Sequence, residues 1–156
     1  MVLSLAPLKA EEKPVLALGK GDVVAFVGGT DLVRMQKEGR LEAALTHRFK
    51  DAKPRFRDLA WEGDTVYLQT TVGERWRRQA FGDLRGQLKK VGATVVIAQF
   101  GKIESLDGPD RLEDFTKAYD QLIDQLSADG RRVALLAPSP FEGTQIEETS
   151  LEAYSR

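Results

Sequence analysis

DVVAFVGGTD, residues Asp22 to Asp31, is the stretch on which the fold turns. Its first six residues, Asp22 to Val27, form a nearly continuous apolar run rich in valine, the pattern of a parallel strand covered on both faces. Gly28, Gly29, Thr30 and Asp31 then make a tight turn, and Leu32 to Glu38 open a helix. Beyond Gly39 the apolar positions Leu41, Ala44, Leu45 and Phe49 continue at helical spacing. A strand feeding a helix through a glycine turn is the building unit of an open α/β sheet.

The same alternation continues along the chain. Pro54 opens a second strand over Arg55 to Ala60, and Trp61 to Thr65 is a loop with Gly and Asp as its turn residues. Val66 to Ala80 reads either as a strand or as a helical or irregular connection, and its place before Asp83 to Val91 favours the connection and a crossover helix. Thr94 to Phe100 is a third strand, followed by a loop over Gly101 to Pro109. Asp110 and Glu113 have the spacing of a helix N-cap pair. Leu112, Phe115, Tyr119, Leu122, Ile123 and Leu126 share one helical face, and Gly130 stands where a C-cap glycine would. Arg132 to Ala137 is a fourth strand, stopped by Pro138 and Pro140. The polar remainder, Phe141 to Arg156, allows a helix near Ser150. Strands alternating with helices imply a parallel sheet with right-handed crossovers, in which ligands sit beyond the carboxyl ends of the strands. Those ends carry Gly28 to Asp31, Trp61 to Thr65, Gly101 to Glu104 and Pro138 to Glu142.

Composition limits what such a fold can do. The chain of 156 residues fits one domain. Lys plus Arg number 23 and Asp plus Glu 24, so the net charge is -1 and binding of nucleic acid through bulk charge is not expected. The 42% apolar and 30% charged shares predict a conventional core. No run approaches the roughly 18 to 20 apolar residues of a membrane span. With no cysteine, disulfides, thiolate metal sites and a cysteine nucleophile are excluded. Residues 1–20 read as an N-terminal arm or the remnant of an export signal, MVLSLAPL with small residues before Glu11 and Glu12, and the latter reading implies a periplasmic or secreted protein. Otherwise a cytoplasmic location follows.

Taken together and in order, the four strand ends resemble the SGNH/GDSL hydrolase family. FVGGTD stands where that family carries its Gly-Asp-Ser turn, with Thr30 at the serine position and Gly29 at the aspartate position. RDLAWEGDT is similar to the second block, and Gly63 matches its glycine. FGKIES stands at the third block, where Gly101 and Glu104 match but Ile103 replaces an asparagine; LLAPSP matches the fourth strand and its loop. GGTDLVRMQ looks closest to a divergent bacterial branch with a GNT-type first block. The resemblance runs from about Gly21 to Glu142. It implies a three-layer flavodoxin-like α/β fold with strand order 2-1-3-4, the fifth strand missing and the domain of residues 21–156 incomplete at its C-terminus. It also implies an ester hydrolase acting on acyl or acetyl esters, carbohydrate-linked ones among them, with Thr30 as nucleophile and the Gly29 and Gly63 N–H groups as oxyanion donors. No cofactor and no metal is implied.

The departures point the other way. The family's Asp-x-x-His block has no match, and the single histidine, His47, falls on the helix after the first strand. A threonine hydroxyl needs a base within hydrogen-bond reach. Ile103 removes an oxyanion donor, a group worth about 2.7 to 4 kcal/mol in acyl-transfer enzymes. The chain is therefore expected to be inactive, and the alternative is a non-catalytic ligand- or partner-binding module on the same fold. Arg75, Trp76, Arg77 and Arg78 could hold an anionic glycan or simply form a solvated face. Asp107, Asp110, Glu113 and Asp114 lack metal-loop spacing. Finally, Arg132 to Ala137 would form an apolar sheet edge, which predicts pairing with another copy of the chain, poor solubility, or completion of the edge by further sequence.

Overall fold

The computed structural model describes residues 16–70, 80–141 and 152–155. The N-terminal segment 1–15, the Arg75 to Arg78 cluster, Glu142 and Ser150 lie outside them, so the readings given for these positions stay as sequence expectations. In chain order the elements are β1 (Val23–Gly28), α1 (Thr30–Glu38), α2 (Arg40–Arg48), β2 (Arg55–Asp58), α3 (Val66–Thr70), α4 (Leu84–Lys90), β3 (Val95–Gln99), α5 (Leu112–Ser127) and β4 (Arg132–Leu135). The four strands form one parallel sheet in the order β2-β1-β3-β4, as expected.

Both central strands are buried along their whole length, and the two-residue period of a strand divides their side chains between two cores. Ala25, Val27, Val96 and Ala98 join Leu84 and Leu88 of α4 and Phe115, Leu122 and Leu126 of α5 on one face. Val24, Phe26, Val95 and Ile97 join Leu32 and Leu45 of the first two helices on the other. This is the three-layer arrangement that a strand apolar on both faces requires.

Several local expectations are corrected. The helix after the glycine turn starts at Thr30 and is broken in two at Gly39, whose φ of 68° ends α1 in the left-handed region. The apolar spacing runs across that break, so periodicity alone reads it as one helix. Val66–Thr70 is helical, which resolves the ambiguity there in favour of the connection. Asp110 and Glu113 do not cap α5: residues Pro109–Arg111 form a 3-10 turn, no side chain caps the helix, and Glu113 instead pairs with Lys117 at 2.6 Å. Gly130, at φ 77°, ends a 3-10 turn that follows the helix rather than capping the helix itself. The second and fourth strands are also shorter than read, ending at Asp58 and Leu135.

Candidate active site

The carboxyl end of β1 brings two chain segments unusually close. A Cβ on Gly28 would collide with the carbonyl oxygen of Gln99, its register partner on β3, and a Cβ on Gly29 would lie 2.7 Å from the carbonyl oxygen of Asp64. Glycine at both positions lets the 61–65 loop and the end of β3 close around the start of α1. Trp61 N–H donates to the Gly28 carbonyl at 2.9 Å, which fixes that loop at the carboxyl edge. Gly63, at φ 74°, then directs its N–H to Thr30 Oγ1 at 3.0 Å. The two residues matched to nucleophile and oxyanion donor thus meet, Thr30 as the exposed first residue of α1.

Below them lie two buried carboxyl groups. Glu104, 2% exposed, accepts from Val66 N–H at 2.8 Å and from Gly101 N–H at 2.9 Å, tying the start of α3 to the end of β3. Burial raises its pKa above the ordinary carboxyl value and the Asp64 charge adds to this, while the backbone N–H groups oppose both. Asp64, 3% exposed, accepts from Gln69 Nε2 at 2.5 Å and from Thr65 N–H at 3.1 Å. Glu104 and Gly101 therefore hold the loops in place. Gly101, at φ 105°, packs against Tyr154 and Phe115, and the side chain of Glu104 is engaged with backbone.

A second network closes the side nearest β4. Lys102 Nζ donates to Asp31 Oδ1 at 2.8 Å, to Ser139 Oγ at 3.2 Å and to the Pro140 carbonyl at 3.3 Å. Ser139 holds the other carboxylate oxygen of Asp31 through both its N–H, at 3.2 Å, and its hydroxyl, at 2.6 Å. The ammonium also lies 5.0 Å from the ring centre of Phe141. The ends of β1, β3 and β4 are thereby joined by charge-assisted bonds.

Gly29, Thr30, Asp31, Asp64, Gln99, Phe100, Lys102, Ile103 and Glu104 line one small cleft. Of the positions read from sequence, Gly29, Thr30, Ile103 and Glu104 line it, Gly63 contacts it through Thr30, and Gly101 supports it from behind. His47 is exposed on α2 and is not among the lining residues. To Asp31, Asp64, Gln99, Lys102 and Ser139 the sequence motifs assign no role. Their signal was present, since each sits at or beside a strand's carboxyl end, but their pairings span tens of residues. Among the described residues no group of three or more His, Asp or Glu side chains could hold a metal ion.

The four-stranded parallel sheet of order 2-1-3-4, with helices around it, is an SGNH/GDSL-like fold. No family model matches the sequence, and no curated protein matches it either. Solved structures do match in shape. A GDSL-like lipase from Parabacteroides merdae superposes with a TM-score of 0.62 at 16% identity, over 91% of this chain and 73% of that one. A catalytic mutant of Axe2, an acetylxylan esterase from Geobacillus stearothermophilus, gives 0.61 at 14% identity, over 89% and 70%. LAE5, an alpha/beta hydrolase enzyme from the metagenome of Lake Arreo, gives 0.59 at 18% identity, over 88% and 71%. At these identities the likeness is one of fold.

Proposed function

We propose that the cleft is the ester site of an SGNH/GDSL-type hydrolase domain, with Thr30 at the nucleophile position, and that the 156-residue chain binds acyl or acetyl esters without turning them over. The observation that carries this reading is the 3.0 Å hydrogen bond from Gly63 N–H to Thr30 Oγ1. It brings the two matched positions together, yet it spends the oxyanion donor on the hydroxyl that would attack. Ile103 supplies no side-chain donor in the asparagine's place. The one histidine, His47, does not line the cleft, so no imidazole stands ready to take the Thr30 proton. These three features favour binding over catalysis.

The test is hydrolysis of p-nitrophenyl acetate by purified chain 1–156. The expected rate equals that of buffer, and Ile103→Asn alone leaves it there, because the base is not restored. Turnover that disappears in Thr30→Ala would overturn the inactive reading and establish Thr30 as nucleophile.

A further inference from the structure

The charge of the chain is sorted along its strands. The four parallel strands start at one edge, where the connections into them and the last turns of α2, α4 and α5 also lie. The β2 corner of that edge carries Arg48, Lys50, Lys53 and Arg55, while Lys20 precedes β1 and Lys89 and Lys90 close α4. All seven are exposed, and none forms an ion pair among the described residues. The acids there are fewer. Asp22 is bound to Arg132, and Asp129 to Arg85 and Arg131, which leaves Asp51 and Asp124 to oppose them. The other edge holds the cleft with its carboxyl groups Asp31, Asp64 and Glu104. A chain of net charge -1 thus presents a basic face at the end remote from its cleft.

Helix dipoles account for part of this face, since Arg48, Lys89 and Lys90 stand in last turns, where cations are favoured. Arg55 guards the β2 edge. Lys20, Lys50 and Lys53 answer to neither. Lys53 holds φ 47°, a left-handed conformation that glycine or asparagine adopts at lower cost, so the turn itself gives no reason for a lysine.

The chain itself indicates the partner. The Ala17 carbonyl accepts from Arg132 at the start of β4 at 2.5 Å, so residues 1–15 join the fold at this same edge, and they include VLSLAPL, residues 2–8. That stretch, apolar but for Ser4, is too short to cross a bilayer and suits its interface. A nucleic acid or an acidic polysaccharide has no place for it. We propose that the amino edge of the sheet docks on the surface of an anionic lipid bilayer, its lysines and arginines on the headgroups and residues 2–8 in the acyl boundary. Binding of this kind grows with the apolar area buried and with attraction to anionic headgroups. The strand direction then turns the cleft toward solvent. This docking is independent of whether the cleft binds esters.

The experiment is co-sedimentation of purified chain 1–156 with vesicles of phosphatidylcholine alone and of equal parts phosphatidylcholine and phosphatidylglycerol. Binding is expected to the mixed vesicles only, and it should be lost in about 1 M salt, where the screening length falls to about 3 Å. Lys50→Glu with Lys53→Glu should weaken it roughly twenty-fold or more, on about five-fold for each charge removed. Lys37→Glu with Lys117→Glu makes the same change in net charge beside Glu62 and Glu113, away from the face, and should leave binding nearly unchanged. Leu3→Asp with Leu5→Asp should weaken vesicle binding without altering retention on heparin, a soluble polyanion. If the Lys50 and Lys53 reversal does not fold, Lys50→Gln with Lys53→Gln takes its place. Equal binding to both kinds of vesicle, or equal losses from the two lysine pairs, overturns the basic face as the docking surface. Retention on heparin with no vesicle binding, or vesicle binding indifferent to Leu3 and Leu5, overturns the bilayer as its partner.

Discussion

Gly29 stands where the resemblance expects an aspartate, and the Asp64 carbonyl oxygen, 2.7 Å from any Cβ placed there, gives the physical reason for the difference. Because the obstacle is backbone, Gly29→Asp is expected to destabilise the fold by roughly 1–3 kcal/mol through overpacking, measured by urea unfolding. A neutral or stabilising outcome would mean that the 61–65 loop moves freely. Glu104 makes a prediction about pH. Its folded pKa is raised, chiefly by burial, so between the ordinary carboxyl value and that raised value the folded chain binds more protons than the unfolded one. The contribution of Glu104 to stability is therefore greatest at low pH and declines as pH rises through the folded pKa. In Glu104→Gln one of the two N–H groups, of Val66 or Gly101, faces an amide donor, so the variant is less stable at every pH, and the wild-type advantage narrows from pH 4 to pH 8. An advantage that widens with pH would contradict the assignment. At this scale the sequence names the residues of a motif but not their partners. Thr30 and Gly63 were legible because each occupies a glycine-marked turn, whereas Asp31, Lys102 and Ser139 become a unit only when three strand ends converge.

Among the elements, legibility follows burial. β1 and β3 announce themselves as unbroken apolar runs because both of their faces are covered, while β2, with Arg55, Arg57 and Asp58 exposed, carries only Phe56 as a half-buried anchor stacked on Phe26. Hydrophobic spacing cannot see a break such as Gly39, since both flanking helices bury the same stripe. α4 begins on a capping side chain: Asp83 is its N-cap, and the carboxylate accepts from Gly86 N–H at 2.7 Å. Asp83→Ala should destabilise the chain by about 1 kcal/mol, while Asp83→Asn or Asp83→Ser recovers most of the loss. The measurement is thermal unfolding of the three variants side by side. Equal losses in all three would show that the side chain acts through something other than the cap.

Across the whole molecule the two edges of the sheet differ in kind. The β2 edge is guarded by charged side chains, in the manner of natural exposed edges. At β4, Arg132 is the sole charge, and it is bound inward to Asp22 at 2.6 Å. Arg132 N–H donates to the carbonyl of Thr94, the residue before β3, at 3.1 Å, and Leu136 N–H to that of Ala98 in β3 at 2.8 Å. By the two-residue strand period the N–H groups of Val133 and Leu135 then face outward. Leu135 is 48% exposed, and grooves lined largely by apolar residues flank β4 on both faces of the sheet, with room of ≈ 410 Å³ on the α5 side and ≈ 610 Å³ on the α2 side. An apolar strand whose outward donors have no partner among the described residues, set between two such grooves, is a template for pairing with another chain. Purified chain 1–156 is therefore expected to self-associate with rising concentration, through β4 of two copies. Leu135→Lys, which sets a charge at the exposed position without touching either central strand, should shift the equilibrium to monomer. Sedimentation velocity at micromolar concentrations reads the mass, and hydrogen exchange reads the edge. The amides of Val133 and Leu135 should gain protection in the wild-type chain as it associates and remain unprotected in Leu135→Lys. A monomer whose Val133 and Leu135 amides exchange freely at high micromolar concentration would rule out pairing at this edge.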